Sequence, residues 1–182
     1  MPKFGPAGNS ESFSKMGYKN SLDVPDYIVK MGLDCYEYKG GRGFNIGEEK
    51  ARLLGEKAAK AGITLSLHAP YYISMSSTEE EKRDNSVNYI LASARAVNAM
   101  GGDRIVVHTG SCGKISRSDA LDLALDTMRK AIAALDGEGL SNIHICPETM
   151  GKVNQLGTLE EVLELCLLDE RLIPCIDFGH LN

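Results

Sequence analysis

Short apolar or β-branched runs recur along the chain at Lys3–Pro6, Asp34–Tyr38, Ile63–His68, Arg104–His108, Ile143–Glu148 and Ile173–Asp177. They start roughly 30 to 40 residues apart, the spacing of one strand plus one crossover helix. Between them lie segments of helical character. Glu48–Ala61 is rich in Ala, Glu, Lys and Leu, and Glu79–Met100 follows Thr78, which with Glu81 spells a capping box. Thr158 with Glu161 repeats that box before Leu159–Leu168, and Ser116 with Asp119 offers a similar start to a helix ending near Leu135. In a capping box the two side chains satisfy backbone donors that the first helical turn leaves free. Gly62, Gly101, Gly102, Gly137 and Gly139 fall where these helices should stop.

Strands alternating with helices predict a parallel α/β sheet, either open and doubly wound or closed as a (β/α)8 TIM barrel. Gly41, Gly43 and Gly47 do not match a dinucleotide-binding turn, and there is no GxxxxGK[ST] loop. A barrel is the better expectation. It typically takes about 250 residues, so the 182 residues here, read as a single domain, hold about six of the eight βα units. On this reading the strands form an arc, and the C-terminal units lie beyond Asn182.

Composition narrows the function. At 43% hydrophobic and 25% charged the chain reads as globular, not disordered. No apolar run approaches the roughly 20 residues of a bilayer span, and no secretory leader is evident. Five cysteines without a CxxC pair suggest reduced thiols in the cytoplasm rather than a disulfide framework. A net charge of −5 argues against a protein that coats nucleic acid by charge alone.

The candidate chemistry sits at the strand ends. His68, His108, Glu148 and Asp177 each close one of four successive runs, and His180 follows in the next loop. Side chains alternate along a strand, so Ser66 shares a face with His68, Val106 with His108, Cys146 with Glu148 and Cys175 with Asp177. The C-terminal strand ends of a barrel gather at one mouth. Two imidazoles and two carboxylates there are borderline-hard ligands suited to zinc, manganese or iron. His144 begins its strand, at the opposite mouth, and reads as structural. Lys39 and Arg42, in a Gly-rich loop at the site's mouth, are candidate phosphate contacts.

At these residues the sequence resembles the endonuclease IV family, metal-dependent barrels that cut DNA at abasic sites. The matching pieces are Leu67-His68-Ala69-Pro70-Tyr71, Val107-His108-Thr109-Gly110, Pro147-Glu148-Thr149-Met150-Gly151 and Cys175-Ile176-Asp177-Phe178-Gly179-His180. Phe4-Gly5-Pro6-Ala7-Gly8 and Glu37-Tyr38 with Gly41-Arg42-Gly43 also fit, so the likeness runs the length of the chain. The resemblance implies a cluster of up to three zinc ions, with His68 and His108 on one, Glu148 bridging two, Asp177 joining the second and His180 holding the third. The family's remaining ligands come from later units. It further implies metal-assisted hydrolysis of the phosphodiester 5′ to an abasic site in base excision repair, with Glu148 as the catalytic residue that orients the attacking hydroxide. The expected partner is abasic DNA and the expected state a monomer. Tyr71 and Tyr72 stand where the family sends an aromatic and an apolar residue into the minor groove, Tyr72 replacing the more usual aliphatic side chain. Two alternatives are a divalent-metal sugar isomerase or epimerase on the same barrel and a non-catalytic binding protein.

Overall fold

The computed structural model describes residues 1–41 and 46–181. Four parallel strands form one sheet in chain order: β1 (Cys35–Lys39), β2 (Thr64–His68), β3 (Arg104–Val107) and β4 (His144–Pro147). Register sets Glu37 opposite Ser66, Lys39 opposite His68, His68 opposite Val106 and Val106 opposite Cys146. Each connection is a helix: α3 (Glu48–Lys60), α4 (Glu80–Ala99) and α5 (Arg117–Gly137), with α6 (Leu159–Cys166) after β4. Repeated βα units with neighbouring parallel strands paired in sequence order are the pattern of a TIM barrel.

The first and sixth apolar runs do not form continuous strands. Each flanks the sheet through isolated parallel bridges, Ala7 with Glu37 on one side and Leu172 with Ile145 and Cys175 with Glu148 on the other. The first run lies tight on β1, where Asp34 N–H donates to the Phe4 carbonyl at 2.8 Å and Glu37 N–H to that of Pro6 at 3.1 Å. Gly5 permits this approach, because a Cβ there would run into the Cys35 carbonyl. The segment before β1 also carries α1 (Glu11–Lys15) and α2 (Val24–Lys30), which the sequence pattern did not single out. Both are too short for a 3.6-residue period to stand out.

Alternation divides the sheet cleanly. Leu65, Leu67, Ile105, Val107 and Ile145 join a core with Leu54 of α3, Ile90 and Val97 of α4 and Met128 of α5. The other face carries Glu37, Ser66, His68, Val106 and Cys146, so the residues with chemistry are those the helices do not cover. Helix ends mostly follow local signals. Thr158 and Glu161 form the expected capping box, Ser116 accepts from Asp119 N–H, and Gly62, Gly101 and Gly139 turn the chain with positive φ. The Thr78–Glu81 box does not form. Glu79 is the N-cap without a side-chain bond, and the Ser77 hydroxyl takes the Glu79 N–H instead. A hydroxyl two residues before a backbone donor makes a local turn that competes with a cap one residue later. No helix among the described residues is long and apolar enough to cross a membrane.

Candidate metal centre

His68 is the last residue of β2, and His108 and Glu148 follow the ends of β3 and β4 directly. Adjacent strands therefore deliver three ligand-type side chains to one edge of the sheet. Glu148 Oε2 lies 3.3 Å from His68 Nε2 and 3.0 Å from His108 Nε2. The two imidazoles stand edge to face, 5.0 Å between centroids. The backbone is locked around them: Ala69 N–H donates to Val106 O and Glu148 N–H to Val107 O.

Asp177 and His180 come from the segment beside β4. Thr149 holds both. Its fully buried hydroxyl accepts from Asp177 N–H at 2.8 Å, and its carbonyl accepts from His180 Nδ1 at 2.8 Å. Asp177 Oδ1 closes the turn by accepting from Gly179 N–H and His180 N–H. Ligand atoms of His68, His108 and Glu148 lie within 4.8 Å of one another, and so do those of Glu148, Asp177 and His180. All five sequence-derived candidates meet, and Glu148 belongs to both groups.

The donor set suits a cation. A carbonyl only accepts, so the ring nitrogen facing it carries the proton. His68 Nδ1 donates to Ala69 O at 2.9 Å and His180 Nδ1 to Thr149 O. In the neutral form this leaves Nε2 of each ring with a lone pair, the arrangement that metal-ligating histidines adopt. At His68 that lone pair faces the Glu148 carboxylate, and two electron-rich atoms at that distance require a proton or a metal ion between them. The titration shifts reflect the same demand. Burial opposes charge on His68, but the Glu148 hydrogen bond, the Ala69 carbonyl and the charges of Glu148 and Glu37 outweigh it and raise the pKa. Burial would raise Glu148 too; the bonds from His108 and His68 overcome it and hold the carboxyl at about 2.

The cleft over this edge, about 420 Å³, is also lined by Glu37, Lys39 and Tyr71. Lys39 and Tyr71 thus border the candidate centre. Tyr72 packs on Tyr71 at 4.5 Å and toward Tyr89 of α4 at 6.0 Å, one groove further out. Arg42 lies outside the described residues. His144 is at the far end of β4, half-buried, with Nδ1 donating to the Arg171 carbonyl at 3.3 Å. The five cysteines are unpaired. Two residues of the site, Thr149 and Glu37, stand within pieces that match the family but carried no role in the sequence reading. Thr149 is polar like many loop residues, and the place of Glu37 beside the site is legible only through the register that pairs it with Ser66. Burial, then the nearby Glu148 charge, raises the Glu37 pKa against the lowering effects of His68, Lys39 and the Ser66 hydroxyl.

A family model described as a xylose isomerase-like TIM barrel matches residues 25–182. The chain belongs to this family. An uncharacterized protein of Methanocaldococcus jannaschii is 33% identical over 90% of this chain and 58% of its own length. A probable endonuclease 4 of Malacoplasma penetrans is 30% identical over 93% of this chain and 63% of its own. The chain thus spans about 60% of the length of these two relatives. Among solved structures, a 3-keto-D-glucoside 4-epimerase from E. coli superposes with a TM-score of 0.76 at 19% identity, over 99% of this chain and 70% of that one. Endonuclease IV from Thermus thermophilus superposes with 0.63 at 20% identity, over 98% and 64%. At these identities the structural likeness shows the shared barrel fold.

Proposed function

We propose that the protein is an endonuclease IV-like hydrolase that cuts the phosphodiester 5′ to an abasic site in DNA, using divalent metal ions, zinc first among them. The observation that carries this reading is Glu148, a buried carboxylate shared by the His68–His108 group and the Asp177–His180 group. A single-metal site has no need of a carboxylate common to two sets. The sequence likeness to probable endonuclease 4 supports the same reading. His68 and His108 would hold one ion, Asp177 and His180 would take part in the second group, and Glu148 would serve both. Bound ions would supply an acidified water and neutralise charge on the phosphate and the departing 3′-oxygen. The chain's own part is positional. Ala69 and Thr149 fix ring tautomers, Glu148 orients the nucleophile, Lys39 meets the backbone, and Tyr71 borders the path of the strand.

The decisive experiment is incision of an abasic duplex by the zinc-loaded full-length protein, with loss in chelator. A metal-loaded protein that leaves the duplex intact but interconverts ketoses favours the second reading, a divalent-metal sugar isomerase or epimerase. One observation speaks for that alternative: the cleft contains Glu37, a carboxylate that offers nothing to a phosphodiester and suits a ligand rich in hydroxyls.

A further inference from the structure

Glu37 is the carboxylate in this cleft that the metal reading leaves without a task. It lines the same cavity as the ligand set, yet among the described residues it falls in neither group whose atoms approach within 4.8 Å. Its position is rigid. Glu37 N–H donates to Pro6 O at 3.1 Å, its own carbonyl accepts from Gly8 N–H at 2.9 Å, and its strand pairs with β2 on the other side. Side chains held on strands bonded at both edges are placed more exactly than those on loops. The Ser66 hydroxyl, its register partner, interacts with the carboxylate.

An ionised carboxylate only accepts hydrogen bonds. A phosphodiester also brings acceptors alone, so the two repel across the cleft. Beyond the Ser66 hydroxyl, what Glu37 can take from a ligand is a hydrogen-bond donor. An internal nucleotide of intact DNA has no free sugar hydroxyl, because its 3′ and 5′ oxygens are esterified and C1′ holds the base. A nucleotide that has lost its base gains one, at C1′ of the cyclic hemiacetal.

We infer that Glu37 is a specificity-determining residue that accepts a hydrogen bond from the C1′ hydroxyl of an abasic deoxyribose, and so distinguishes a natural abasic site from intact or hydroxyl-free sugar. This rests on the endonuclease reading and deepens it. A hydrogen bond to a charged group is worth enough to alter a rate constant by about tenfold or more.

The test compares two duplexes, one with a natural abasic site and one with a tetrahydrofuran residue lacking the C1′ hydroxyl. The zinc-loaded wild-type protein should prefer the natural site about tenfold in kcat/KM, the effect of one charge-assisted bond. Glu37→Met should bring the ratio toward one, and Glu37→Gln, which keeps an acceptor without the charge, should fall between. A ratio of two substrates does not depend on how much of a variant is folded, so an unstable variant still gives a reading. Equal ratios in wild type and Glu37→Met overturn the assignment while the endonuclease reading stands. A loss of bound zinc in Glu37→Gln also overturns it, since Glu37 would then be a ligand. If the wild-type protein cuts neither duplex, the endonuclease reading itself fails.

Discussion

The His68, His108 and Glu148 trio differs from the Asp177 and His180 pair in what holds it. His68 and His108 hang from strands paired on both sides and Glu148 from the edge strand β4, and the three side chains are 9 to 24% exposed. The pair stands on a segment attached to the sheet by single bridges, with both side chains 38% exposed. The trio is preorganised by the ladder. The pair is organised by one buried threonine and by a turn that Asp177 closes itself. Glu148 is the hinge between a rigid half and a softer half, so perturbations should separate the two.

The largest effect is expected from Glu148→Gln, which touches both halves. Loss of a group that only orients a metal ligand typically costs about 10- to 100-fold in affinity or activity, so loss of the shared ligand itself should exceed about 100-fold. Incision rate and zinc content of the purified variant check this; retention of both would mean that the two groups do not act as one centre. Thr149→Val should spare the trio and loosen the pair. The methyl preserves shape, but Asp177 N–H loses its acceptor, a change of about 1 kcal/mol. Zinc titration should show one class of site unchanged and another weakened about tenfold, the low end for losing a group that orients a ligand.

Acidity offers a gentler probe of the trio in the metal-free protein. Glu148 titrates at about 2, below its ordinary 4.5, so its contribution is full above 4.5 and fades as the pH falls toward 2. His68 is shifted the other way, above 6.5, so its contribution is full below 6.5 and fades as the pH rises through the raised value. The trio should therefore stabilise the metal-free fold most between pH 4.5 and 6.5. The Tm difference between wild type and Glu148→Gln, followed across pH, should peak in that window; a flat difference would show that the hydrogen bonds add nothing. The smallest effect belongs to Lys39→Ala at the rim. Both halves should keep their metal, while the salt dependence of DNA binding loses about one unit of slope.

Much of this was legible in the amino-acid order. The βα alternation, the strand ends at His68, Glu148 and their neighbours, and the caps at Ser116 and Thr158 are local signals. A period of two and a hydrogen bond three residues long need no distant partner. So was the candidate set itself, because ligand-type residues closing successive strands must gather at one edge of a parallel sheet. What the order left undetermined depends on neighbours remote in sequence. Whether Lys3–Pro6 and Ile173–Asp177 become full strands depends on pairing at the sheet's margins, and the Thr78 cap lost to a hydroxyl one residue away. Glu37 stood in a piece that fits the family but had no role until register placed it beside Ser66 in the cleft that the ligand set lines. Thr149 gained its role only when the segment holding Asp177 and His180 folded against it. Local chemistry chose the elements and their polar tips. Only the packing of strands from opposite ends of the chain decided which of those tips share a charge, because electrostatic coupling follows distance in space and not separation in sequence.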